Sequence, residues 1–171
     1  GLAGQMHGAV LLDEGGQVLR PSLIWCDQRT QAQCDWLNST LGEGRIIELT
    51  CNPALTNFTL TKLLWVRDQE PEIWKRFRHV LLPKDYVRYR LSGEYAMDKA
   101  DGSGTVLMDL RQRAWSRAVL EALAIPAEWL PPLLAGRLSF QNLKLSWWPS
   151  SWETTWACDA CAAMSQMFPP L

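Results

Sequence analysis

The chain has 171 residues, 47% of them apolar and 20% charged, with 17 Lys and Arg set against 18 Asp and Glu. That mixture describes a globular domain of ordinary size and excludes collagen, coiled coil and wholesale disorder. The near balance of charge leaves no footprint for nucleic acid or an anionic membrane. No apolar run reaches the roughly 18 residues of a membrane span, and no basic stretch precedes an apolar one, so neither a span nor a secretory signal is expected.

In chain order, Ala9-Val-Leu-Leu12 predicts a strand, Glu14-Gly-Gly16 a turn, Val18-Leu19 a return strand, and Ser22-Leu-Ile-Trp25 a further short buried strand. From Thr30 the period becomes helical. Ala32, Trp36, Leu37 and Leu41 share one face, Gly42 and Gly44 end the helix, and a loop with an Asn52-Pro53 turn follows. Thr59 is placed to cap a second helix that buries Leu60, Leu63 and Leu64. Pro71 opens a third helix to Phe77, Val80–Leu82 forms a buried strand, and Pro83 opens a fourth helix that Gly93 terminates. Asp98 to Gly104 reads as a polar, glycine-rich loop and Thr105–Leu110 as a strand. Ser116 caps a helix with Val119, Leu120 and Leu123 inward. Sheet segments separated by helices, without an internal repeat, argue for an α/β or α+β fold.

Three short motifs carry candidate chemistry. In Gln5-Met6-His7-Gly8, Gln and His side chains at a strand edge can hydrogen-bond a polyhydroxylated ligand, or His7 can simply bond a neighbouring carbonyl. In Trp25-Cys26-Asp27-Gln28-Arg29, Trp25 offers a platform for a sugar face and Asp27 an acceptor for hydroxyls at a strand end, where open α/β sheets meet ligands. Asp27 can equally be a cap for the Thr30 helix, paired with Arg29. The Asp98–Gly104 stretch has neither the EF-hand spacing nor the Gly-Lys-Ser/Thr of a phosphate loop, and serves as a cleft lining or a plain surface loop.

The five cysteines are three scattered ones (Cys26, Cys34, Cys51) and the pair Cys158-x-x-Cys161, which is half a zinc site at best and reads as chance spacing. Scattered cysteines without a signal indicate reduced thiols and a cytoplasmic chain. With only two histidines, a His-rich metal centre is not expected. After Leu134 the character changes. Residues 135–171 hold four charges and four tryptophans with neither helical nor strand period. Two units are therefore expected: a folded 1–134 and a divergent, non-native or disordered 135–171, in keeping with an out-of-frame reading.

The blocks Gly1-Leu-Ala-Gly-Gln-Met-His-Gly, Val18-Leu-Arg-Pro-Ser-Leu-Ile-Trp-Cys-Asp-Gln-Arg-Thr, Asn57-Phe-Thr-Leu-Thr-Lys-Leu-Leu-Trp-Val-Arg, Val80-Leu-Leu-Pro-Lys-Asp-Tyr and Asp98-Lys-Ala-Asp-Gly-Ser-Gly-Thr occur in this order. With their spacing, they resemble the xylulose kinases of the FGGY sugar-kinase family. The Gln-Met-His triplet favours this branch, since glycerol kinases are expected to carry Arg-Glu at Met6-His7. The resemblance implies part of an actin-like (ribonuclease H-like) ATPase domain, truncated at both ends. It also implies a parent that uses ATP and Mg²⁺ to phosphorylate the 5-hydroxyl of D-xylulose, with a homodimeric parent as a further expectation. By the same resemblance Met6, His7, Trp25 and Asp27 face the sugar. Asp101 lies in the acidic loop beside the cleft, and Lys84 and Asp85 are structural.

The glycine-rich stretch that carries the family's general-base Asp is expected beyond the position of Leu134 and does not occur in this sequence. The phosphate-binding turn and the C-terminal nucleotide domain are likewise absent from it. The chain alone is therefore expected to bind neither ATP nor Mg²⁺ and to be inactive. The alternatives are another FGGY kinase, for ribulose, gluconate or fuculose, and a non-catalytic sugar- or partner-binding domain.

Overall fold

A computed structural model of the protein describes residues 2–135. The expectations for the 135–171 tail, its tryptophans and the Cys158–Cys161 pair lie outside the described residues, Ala135 excepted. Helices dominate, and the strands are short and paired two by two, an α/β mixture as expected.

Strand β1 (Val10–Leu12) runs antiparallel to β2 (His79–Leu81), with Leu11 opposite Val80. Because side chains alternate across a strand, this ribbon serves two cores. Leu11 and Val80 enter the main one. Val10, Leu12 and Leu81 pack on the other side with Tyr86, Tyr89 and Tyr95. The expected return strand and the strand at Ser22–Trp25 shrink to single bridges, Leu12 with Val18 and Ala9 with Leu23. Leu23 is buried, but Ile24 and Trp25 are about half exposed, against expectation. The Asp27 amide donates to Ile24 O (3.1 Å), closing a turn that swings both side chains outward.

Helix α1 (Gln31–Leu41) ends at Gly42, as expected, but it buries Gln33, Cys34 and Leu37 while Trp36 faces solvent. Gln33 enters the protein because its amide donates to Asp68 (3.0 Å), and Trp36 instead packs under the Arg67 guanidinium. The loop expected next is helix α2 (Glu43–Thr50). Gly44 does not end a helix. It sits in the first turn of the new one, where amides have no intrahelical partner and the usual cost of Gly is smaller.

Helix α3 (Thr59–Gln69) is the centre of the molecule. Every residue from Thr59 to Leu64 is buried, the cation Lys62 included. Phe58, not Thr59, occupies its N-cap. Helices α4 (Pro71–Arg76) and α5 (Pro83–Ser92) each start with proline in the first turn, and Gly93 closes α5 in the left-handed region. Strand β3 (Met97–Asp98) pairs in parallel with β6 (Leu133–Leu134).

The expected loop at Asp98–Gly104 is a short helix, α6 (Lys99–Ser103), because Asp98 caps it by accepting from the Asp101 amide at 2.9 Å. The expected strand at Thr105–Leu110 is cut to β4 (Met108–Asp109), since Val106 takes a left-handed φ of 61°. Strand β4 pairs with β5 (Ala114–Trp115), and α7 (Arg117–Ala122) follows with Ser116 as its cap.

Candidate functional site

The segment entering β1 passes over the N-terminus of α3. Gly4, Gln5, Met6 and His7 line an open cleft of about 320 Å³ together with Trp25 from the turn after Leu23. The size suits a small ligand, and the exposed Trp25 ring gives one apolar wall. Three of the expected site residues, Met6, His7 and Trp25, are thus brought together.

His7 is held at several points. Its φ is +69°, in the left-handed region where non-glycine residues are uncommon. Its Nδ1 lies 2.9 Å from Gly104 O. A carbonyl only accepts, so Nδ1 is the protonated nitrogen and the neutral ring keeps Nε2 as an acceptor. The Phe58 ring packs edge-on against the imidazole, with centroids 4.7 Å apart. The loop approaches closely because residue 104 has no side chain. A Cβ there would lie 2.5 Å from the His7 ring and 2.9 Å from the Met6 methyl.

Lys62 lies beneath this arrangement, fully buried. Its Nζ donates to His7 O at 2.8 Å and to Asn57 O. Burial pulls its pKa down to about 8, opposed by the nearby Asp27 carboxylate and by Cys26. Sequence reasoning missed Lys62 as a site residue. The signal was present: a cation within Thr-Leu-Thr-Lys-Leu-Leu, flanked by leucines that must be buried, has to find partners inside.

The remaining expected residues stand apart from the cleft lining. Asp27 pairs with Arg29 as expected but does not cap the next helix, because Thr30 holds the α1 N-cap position and no side chain caps it. Its Oδ1 accepts from Arg29 Nε and its Oδ2 lies by the other guanidinium nitrogen, each at 2.9 Å. This fork pairing with Arg29 holds the carboxyl below the usual range. Arg29 in turn lies over the Trp65 ring at 4.8 Å.

Asp101 belongs to a cluster around Lys84, whose Nζ is 2.8 Å from Asp85, 2.5 Å from Asp98 and 2.9 Å from Asp101. Burial works against the Lys84 charge, but the three carboxylates outweigh it and raise its pKa. Asp85, the most deeply buried of the acids, is raised by desolvation despite Lys84. Asp101 reaches the cleft only through backbone. The Gly104 amide donates to Asp101 O (3.1 Å), and Gly104 O holds His7.

The donor set does not fit Mg²⁺. The three acids already close on one ammonium, and among the described residues no group of three or more His, Cys, Asp or Glu is arranged to hold a metal. The glycines of α6 and its end do not form a phosphate cradle either. A Cβ at Gly102 would lie 2.8 Å from Leu133, and Gly104 is taken up by His7 and Met6.

Comparison with known proteins identifies the family. Over 136 residues the chain is 44% identical to the xylulose kinase of Escherichia coli (strain K12), covering 80% of this chain and 28% of that protein. It is 42% identical over 132 residues to the xylulose kinase of Bacillus subtilis (strain 168), covering 77% and 26%. A crystal structure of a "xyloylose kinase" from Brucella ovis superposes with a TM-score of 0.72 at 40% identity, over 77% of this chain and 26% of that one. The chain therefore spans little more than a quarter of the length of the curated relatives it matches. Residues 1–148 match the model of the FGGY family of carbohydrate kinases, N-terminal domain. With the family model matched over most of its length, this chain belongs to the FGGY family of carbohydrate kinases.

Proposed function

We propose that this chain supplies the sugar-binding wall of a cytoplasmic, ATP-dependent kinase that converts D-xylulose to D-xylulose 5-phosphate. The observation that carries the reading is the cleft formed by Met6, His7 and Trp25, with the His7 ring fixed through Gly104. A pentulose offers hydroxyl donors to the His7 Nε2 acceptor and an apolar ring or chain face to Trp25 and Met6. Phosphoryl transfer is mostly positioning and charge stabilisation, so a wall that fixes one hydroxyl has a direct role in rate. Asp27 and Asp101 act on this wall indirectly, by anchoring Arg29 and by ordering the Gly104 loop.

The described residues offer no general base beside the cleft, no phosphate cradle and no Mg²⁺ ligands. On this reading those functions fall to parts of the parent kinase outside the described residues, and the isolated chain is inactive.

The test is calorimetric titration of the chain with D-xylulose, D-ribulose, D-gluconate and glycerol, alongside an assay for ADP release. Binding that prefers D-xylulose, without turnover, is the expected result. ATP-dependent product from the pure chain would overturn the inactivity. Equal affinity for all four polyols, or none for any, would overturn the sugar-site reading.

A further inference from the structure

Lys62 is the buried ionisable group closest to the cleft for which the sugar-site reading gives no role. Among the described residues it is not paired with a carboxylate. Its hydrogen bonds among the described residues go to two main-chain carbonyls, those of Asn57 and His7. The first is the local turn into α3. The second lies 55 positions earlier in the chain and belongs to the left-handed residue of the cleft. A left-handed non-glycine backbone is strained and persists only where its surroundings hold it. At His7 those surroundings are specific: the ammonium on the carbonyl, Gly104 O on Nδ1 and the Phe58 ring on the imidazole. The loop that carries Gly104 is tied to the same helix, because the Leu60 amide donates to Thr105 O at 3.0 Å. Helix α3 thus fixes both partners of the Nδ1 hydrogen bond.

We infer that Lys62 is a positioning residue for His7. Its buried ammonium, through the His7 carbonyl, holds the left-handed turn that sets Nδ1 against Gly104 O and leaves Nε2 as the acceptor offered to a ligand hydroxyl. The inference rests on the sugar-site reading for its ligand, but its geometry is independent of which ligand is bound. It has a chemical consequence. A ring with the proton on Nε2 would present a donor instead, and the same cleft would then favour a carbonyl or ether oxygen over a hydroxyl proton.

The test uses the full chain labelled with ¹⁵N. Long-range proton–nitrogen correlation reads the two ring nitrogens of His7, assigned by their loss in His7→Gln. In the unaltered chain the ring is expected to carry its proton on Nδ1, the opposite of the preference of a free histidine side chain in water. The Lys62 ammonium protons are expected to show a nuclear Overhauser contact with His7. Lys62→Met is expected to return the ring to the solvent preference and to weaken D-xylulose binding about tenfold, as a lost charge-assisted bond does. His7→Gln is expected to weaken it by a similar factor, and the double variant no further. Lys62→Gln, which keeps N–H donors without the charge, is expected to recover part of the Nδ1–H signature, a rescue that a purely structural role would not produce.

A proton on Nε2 in the unaltered chain, or fully additive losses in the double variant, would overturn the inference. If Lys62→Met does not fold, absence of the ammonium contact in the unaltered chain overturns it by itself. Failure of D-xylulose to bind the unaltered chain removes the sugar reading, while the ring and ammonium signals still decide the role of Lys62.

Discussion

Two lysines of this domain are largely withdrawn from solvent, Lys62 fully and Lys84 with its side chain 12% exposed, and the chain treats them in opposite ways. Lys84 is surrounded by Asp85, Asp98 and Asp101, and its charge is stabilised. Among the described residues Lys62 meets only carbonyl dipoles at hydrogen-bond distance, and burial works against its charge. The first arrangement is a structural anchor. It ties the start of α5 to the cap and body of α6, and removing any member leaves unbalanced charge inside. The second places a cation where its solvation is worst, and the gain is the backbone conformation at His7 rather than an ion pair. Burial alone does not distinguish a structural charge from one beside a ligand site, but the kind of partner does.

The contrast can be broken most strongly at Lys84. Lys84→Met leaves three buried or half-buried carboxylates facing one another and is expected to cost about 3–5 kcal/mol in urea unfolding. Adding Asp85→Asn is expected to return part of that loss, because the most buried of the three charges is then gone. A cost under about 1 kcal/mol would show that the cluster is not an anchor. Lys62→Met comes next, at about 2–3 kcal/mol, since two buried carbonyls lose a charged donor.

The pH dependence sharpens the same comparison. The folded-state pKa of Lys62 lies near 8 against an ordinary 10.5, so over that window the unfolded chain binds more protons. The Lys62 contribution to stability therefore grows as pH rises from 8 to 10.5 and is lost as pH falls through the folded value. Lys84 has the opposite sign. Its contribution is fully present below its unfolded value and lost only as pH rises through a folded value above it. Asp98, held low by Lys84 and the Asp101 amide against its own burial, stabilises above its unfolded pKa, and that contribution is lost in acid. Melting temperatures of the unaltered chain and Lys62→Met between pH 7 and 10 are expected to converge in slope only if Lys62 is not the group titrating. The smallest expected effect on stability is that of Trp25→Ala, within about 0.5 kcal/mol because the ring is about half exposed. The same change is expected to weaken D-xylulose binding several-fold, as titration would show.

Much of the scaffold was legible in the sequence through its punctuation. Gly42 and Gly93 end helices, Pro71 and Pro83 begin them, and Leu60, Leu63 and Leu64 mark the buried face of α3. The parts that were not legible share a cause, which is that a tertiary partner decided them. Trp36 and Trp25 read as core by hydrophobicity, yet one lies under Arg67 and the other beside an open cleft. Asp98–Gly104 reads as a loop until the Asp98 carboxylate is seen to cap it. Helix α2 was missed because two glycines so close together suggested a break, and the burial of Ile46 and Thr50 outweighed them. At the site, Met6, His7 and Trp25 were legible from the family blocks. Lys62 and Gly104 were not, because their roles depend on segments about fifty or more residues away from them in sequence.

The approach of Gly104 to His7 has a consequence for how such a cleft can change. Residue 104 lies against the ring from behind, and what it controls is the position of one proton. A single added methyl group there, 2.5 Å from the imidazole, would force the ring off its carbonyl partner. The wall could then turn from hydrogen-bond acceptor to donor without any alteration of Met6, His7 or Trp25. Selectivity in this cleft is thus partly encoded in the absence of a side chain, and a residue that contacts no sugar can redirect which oxygen pattern the site accepts.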